Sequence, residues 1–92
     1  MTDILSRRLI PSDDAVDSAV GNETVILHLK NSTYYGLDAV GTRIWALLKK
    51  GLAPLEICER LSAEFDVTRE VIDADARRFL CELDAHDMIV DA

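Results

Sequence analysis

Thr24-Val25-Ile26-Leu27-His28-Leu29-Lys30-Asn31-Ser32-Thr33-Tyr34-Tyr35-Gly36-Leu37-Asp38 runs straight into a helical pattern at Ala39, and its reading decides the fold. Apolar residues at 25, 27 and 29 alternate with mixed ones, which is the period-two signature of a strand. Asn31-Ser32 supplies turn chemistry, and Tyr34-Tyr35 resumes an extended segment. The spacing predicts a hairpin over Thr24 to Leu29 and Thr33 to Leu37. Upstream, weak alternation from Ala15 to Val20 and a Gly21-Asn22 turn add one more strand, giving a three-stranded antiparallel meander. Such a meander needs cover on one face to be stable.

Three helical patterns supply that cover. Asp38 is a suitable N-cap, Val40, Ile44, Leu47 and Leu48 recur at helical spacing, and Lys49, Lys50 and Gly51 make a cationic last turn and a stop. Pro54 fits the first position of a second helix carrying Ile57, Cys58, Leu61 and Phe65. Thr68 caps a third, with Ile72, Ala76, Phe79, Leu80 and Leu83 along one stripe to about Ala85. Met88-Ile89-Val90 suggests a short terminal strand. The expected class is therefore α+β, winged-helix-like, with three antiparallel strands followed by three helices. Residues 1–13 show no period and are expected to form a flexible N-terminal arm, with the domain over 14–92.

Length and charge narrow the function. Ninety-two residues make one small domain, and 17 acidic against 10 basic residues give a net charge of −7. That charge repels nucleic acid and anionic membranes. A winged helix would present its third helix to DNA, but between Arg69 and Asp87 three arginines (Arg69, Arg77, Arg78) face six acids (Glu70, Asp73, Asp75, Glu82, Asp84, Asp87). Residues 1–10 lack the uninterrupted apolar stretch of a signal peptide, no segment approaches membrane-spanning length, and Cys58 and Cys81 read as reduced core thiols, so a cytoplasmic location is expected.

Neither catalysis nor metal binding has its residues. Cys81 and His86 are five apart on one helix and fall on different faces. His28, Cys58, Cys81 and His86 lack the close pairing of zinc ligands, and His28 is assigned to the strand face opposite Val25, Leu27 and Leu29. No catalytic residue, metal or cofactor is expected. The remaining use of a small sheet is its edge, whose unpaired N–H and C=O groups can take up another chain as an added strand. An incoming strand would pair with Thr33, Tyr34, Tyr35, Gly36 and Leu37. Val71, Asp75 and Arg78, spaced four and three apart beside the core stripe of the third helix, would form the facing wall. If the backbone N–H of Tyr35 pairs with that strand, Tyr35→Pro weakens binding far more than Tyr35→Phe.

The wording Val25-Ile26-Leu27-His28-Leu29, Thr33-Tyr34-Tyr35-Gly36-Leu37-Asp38 and Val40-Gly41-Thr42-Arg43-Ile44-Trp45-Ala46-Leu47-Leu48 resembles the PqqD-like family, named for coenzyme PQQ synthesis protein D. The likeness continues through Ile57 to Leu61 and through Asp75-Ala76-Arg77-Arg78-Phe79-Leu80 to Leu83. It departs at His86-Asp87-Met88, where the family often has glycine, and at Asp38, where it has Asn. The resemblance implies a recognition element for ribosomally made, modified peptides, which binds a precursor's leader between the third strand and the third helix. Within the family the wording is most similar to free-standing lasso-peptide proteins. These present the leader to processing enzymes, a leader peptidase or a cyclase; the alternative is delivery to a radical SAM enzyme in PQQ synthesis. A monomer or a strand-swapped dimer is expected.

Overall fold

The computed structural model of the protein describes residues 3–21 and 23–92. Met1 and Thr2 of the expected arm and Asn22 of the expected turn lie outside the described residues. The order is β1 (Leu9–Pro11), β2 (Ala15–Val20), β3 (Glu23–His28), β4 (Tyr34–Leu37), α1 (Ala39–Lys49), α2 (Pro54–Glu64), α3 (Arg69–Ala85) and β5 (Ile89–Asp91). β2, β3 and β4 form the antiparallel meander, and β1 and β5 form a separate two-stranded ribbon.

Local chemistry sets the ends of the helices. The Asp38 carboxylate accepts from the Gly41 N–H at 2.7 Å, and the Thr68 hydroxyl accepts from the Val71 N–H at 3.3 Å, each satisfying a donor orphaned at a helix start. At the start of α2 the Glu56 carboxylate reaches back to the Ala53 N–H at 3.1 Å. Gly51 after α1 and Asp87 after α3 adopt positive φ values of 91° and 59°, so Asp87 fills the left-handed position where glycine would be easier. Ser32 does the same in the β3–β4 turn at 58°.

The apolar stripes meet in one core. Ile44, Trp45, Leu47 and Leu48 of α1, Ile57, Cys58 and Leu61 of α2, and Ile72, Ala76, Leu80 and Leu83 of α3 are buried with Ile26, Leu37, Met88 and Ile89. Each large side chain removed from water contributes about 1.5–3 kcal/mol.

Three expectations are corrected. The stretch read as an arm carries a 3-10 turn over Ile4–Ser6 and strand β1; Ile4, Leu5 and Leu9 are buried against the helices, and β1 pairs with β5. Ion pairs pin it: Arg77 grips Asp3 at 2.8 and 3.0 Å, and Arg7 meets Asp91 at 2.9 Å. The sheet also presents the other face to the core. Ile26 and His28 are buried while Leu27 and Leu29 are exposed, because β3 is apolar on both faces and alternation alone could not choose between them. His28 Nδ1 accepts from the Lys30 N–H at 3.3 Å, which satisfies one ring nitrogen inside. Finally, Cys81 is exposed on α3, and only Cys58 is a core thiol.

Candidate peptide-binding groove

β4 is an edge strand of the meander, and its open side faces α3. Between them lies a cavity of about 180 Å³, walled by Tyr35, Gly36 and Leu37 on the strand and by Asp75, Arg78, Phe79 and Glu82 on the helix. Asp38, Val40, Gly41 and Ile44 at the start of α1 close one end. The floor is apolar and the rim is charged.

Tyr35 ties the two walls together. Its half-buried ring packs against Phe79 with centroids 6.1 Å apart and planes tilted by 60°, and it lies equally far from the His86 ring. Its hydroxyl donates to the Glu82 carboxylate. The neighbouring residue alternates to the other face, so Tyr34 is 73% exposed. On the rim, Arg78 is only loosely held by Asp75 at 3.5 Å and keeps 71% of its side chain in solvent. Arg77, one position earlier, is committed to Asp3 on another side of the helix.

The hydrogen-bond register shows which backbone groups of β4 are open. His28 N–H donates to the Thr33 carbonyl at 2.8 Å, and opposite residues in an antiparallel pair alternate between bonded and non-bonded. With Leu27 opposite Tyr34, Ile26 opposite Tyr35 and Val25 opposite Gly36, the groups of Tyr35 turn inward to Ile26. Those of Tyr34 and Gly36 turn to the open edge. Register along the strand thus assigns the Tyr35 N–H to the sheet, and the donors left at the open edge are those of its two neighbours.

Of the eight residues expected from the sequence, Tyr35, Gly36, Leu37, Asp75 and Arg78 line the cavity. Thr33, Tyr34 and Val71 do not, and Val71 stands exposed at the start of α3. Glu82, Phe79, Gly41, Val40, Ile44 and Asp38 line the cavity as well and are not among the residues expected from the sequence. Glu82 was findable, being seven residues after Asp75 and four after Arg78 and hence on the same helix face. Gly41 carried a signal too, as a glycine inside an otherwise strong helix.

The opposite face of the sheet is also unusual. Val16, Leu27 and Tyr34 stand in register across the three strands, all exposed, and Val20 and Leu29 are exposed as well.

An open strand edge beside a helix, over a partly apolar cavity, defines a small domain suited to accept an extended chain. The chain belongs to the family described as coenzyme PQQ synthesis protein D (PqqD), whose model matches residues 23–89. Among solved structures it is similar to TbiB1 in complex with the TbiA(beta) leader peptide, with 42% identity, a TM-score of 0.81, and coverage of 87% of this chain and 93% of that one. A lasso peptide synthetase B1 complexed with the leader peptide shares the fold at 18% identity and a TM-score of 0.82, covering 90% of this chain and 98% of that one. No curated protein matches the chain. Among the described residues no helix is long and apolar enough to cross a membrane.

Proposed function

We propose that this domain binds the leader of a ribosomally made precursor peptide as an added strand on β4 and presents it to a processing enzyme in lasso-type biosynthesis. The observation that carries the reading is the open edge of Tyr34 and Gly36 beside the Tyr35–Phe79–Glu82 groove, in a chain 42% identical to one solved with a leader peptide. Backbone pairing supplies affinity without sequence demands, and the apolar floor and charged rim select side chains. The domain performs no bond chemistry. It raises the effective concentration of the cleavage site at its partner.

The apolar outer face of the sheet supports a protein partner. Val16, Leu27 and Tyr34 form a contiguous exposed patch on the side away from the groove, so a leader peptidase docked there leaves the leader seated. Fluorescence polarisation tests the binding role, with a labelled leader from a precursor encoded beside this gene, its scrambled version and a DNA duplex. Saturable binding of the leader alone supports the reading. Binding of the duplex instead would point to a winged helix acting on DNA, and preference for a PQQ precursor over a lasso leader would move the chain to the radical SAM pathway.

A further inference from the structure

Gly41 is the third residue of α1, where its backbone does not require glycine. Positive φ among glycines is confined to Gly21 and Gly51, and glycine inside a helix is less stable than alanine. What glycine provides here is space. A Cβ at position 41 would stand 3.1 Å from Cε1 and 3.4 Å from Cζ of Phe79, and 3.2 Å from Oδ1 of Asp38. The Asp38 oxygen is fixed by its cap bond to the Gly41 N–H, whereas the Phe79 ring is half-buried and borders the cavity. Phe79 is thus the neighbour able to give, because its half-buried ring borders the cavity that it shares with Tyr35.

We propose that Gly41 is a specificity-determining residue of the peptide site, setting through Phe79 the size of the apolar leader side chain that the closed end of the groove admits. The inference rests on the leader-binding reading above. A missing methyl on the helix becomes room for a larger side chain on the peptide. In a close-packed interior a shift of a few tenths of an ångström is felt by the next side chain, and one methylene in an apolar pocket changes selection by about tenfold or more.

The test uses the TbiA(beta) leader and a set of variants in which each of its apolar residues is replaced singly by alanine, measured by competition polarisation against wild-type protein, Gly41→Ala and Gly41→Ala/Phe79→Leu. In wild type, one alanine replacement is expected to dominate and identify the anchor. With Gly41→Ala the intact leader is expected to bind about tenfold more weakly, while the peptide lacking the anchor loses almost nothing. Phe79→Leu in the same chain restores the intact leader. Equal affinity of Gly41→Ala and wild type for the intact leader overturns the proposal, as does an equal loss for every peptide, which would mean general displacement of α1. If Gly41→Ala does not fold, as judged by circular dichroism, Phe79→Leu alone decides. It should raise affinity for a leader with a larger aromatic anchor relative to the native one, and an unchanged ratio refutes the gauge. Folded wild type that binds neither this leader nor that of a precursor encoded beside this gene refutes the underlying reading instead.

Discussion

Replacing Gly36 by proline removes one backbone donor from the open edge of β4 and nothing from the meander, because Gly36 faces Val25 in a pair whose N–H groups point away from each other. Its φ is not positive, and proline is compatible with an edge strand whose N–H faces outward. The matched control is Gly36→Ala, which keeps the N–H and adds a Cβ with no heavy atom within 4 Å. A backbone hydrogen bond contributes about 1 kcal/mol net, and leaving its partner carbonyl unsatisfied in the groove raises the loss to about 3 kcal/mol. Leader affinity should fall between about fivefold and about 150-fold for Gly36→Pro and stay within about twofold for Gly36→Ala. Fluorescence polarisation gives the affinities, with circular dichroism confirming the fold. Equal affinity of the two variants would refute strand addition at this residue.

Leu27→Lys places a charge on the outer sheet face without touching the core; leader affinity should be unchanged while leader cleavage by the partner peptidase falls by about tenfold or more, and unaltered cleavage would remove that face from the partner site. Acid should unfold the protein partly through two carboxyls. Arg77 holds Asp3, and Lys49 at 2.8 Å holds Asp17, below the usual carboxylate range, so their contribution is complete above the unfolded value of about 3.9 and is lost as pH falls through the lower folded values. Urea midpoints should hold from pH 7 to about pH 5 and drop below about pH 4, with a smaller drop in Asp3→Asn/Asp17→Asn; an identical drop would exclude both pairs. Burial, and secondarily Asp73, pushes the Cys58 thiol up to about 11, while Cys81 is exposed. A thiol reagent at neutral pH should therefore label one cysteine rapidly and the second only on unfolding; two fast equivalents would contradict the buried site.

The helices were legible because each carried both a stripe and a cap. Asp38, Pro54 and Thr68 stand where the helices begin, and the Ile44–Leu48, Ile57–Leu61 and Ile72–Leu83 stripes are the core. The meander was legible as strands but not as faces. Ile26 and His28 rather than Leu27 and Leu29 turn inward, a choice made by the packing of α1 and α3 that local alternation does not contain. The N-terminal segment was illegible for a similar reason, since the partners of Leu9–Pro11 lie at Ile89–Asp91, some eighty positions on. In the groove, Tyr35, Asp75 and Arg78 followed from strand and helix spacing. Phe79 was read only as core, although it stands half-buried at the boundary between core and cavity. Gly41 depended on a contact between α1 and α3 that no sequence window spans.

The central claim is that a peptide adds to the open edge of β4, and amide hydrogen exchange read by NMR on the leader-bound protein tests it residue by residue. The Tyr34 and Gly36 amides should exchange freely in the unbound protein and become strongly protected on binding, whereas Tyr35, already paired with Ile26, changes little. Saturable leader binding with no added protection at Tyr34 and Gly36 would contradict strand addition and place the peptide on another surface.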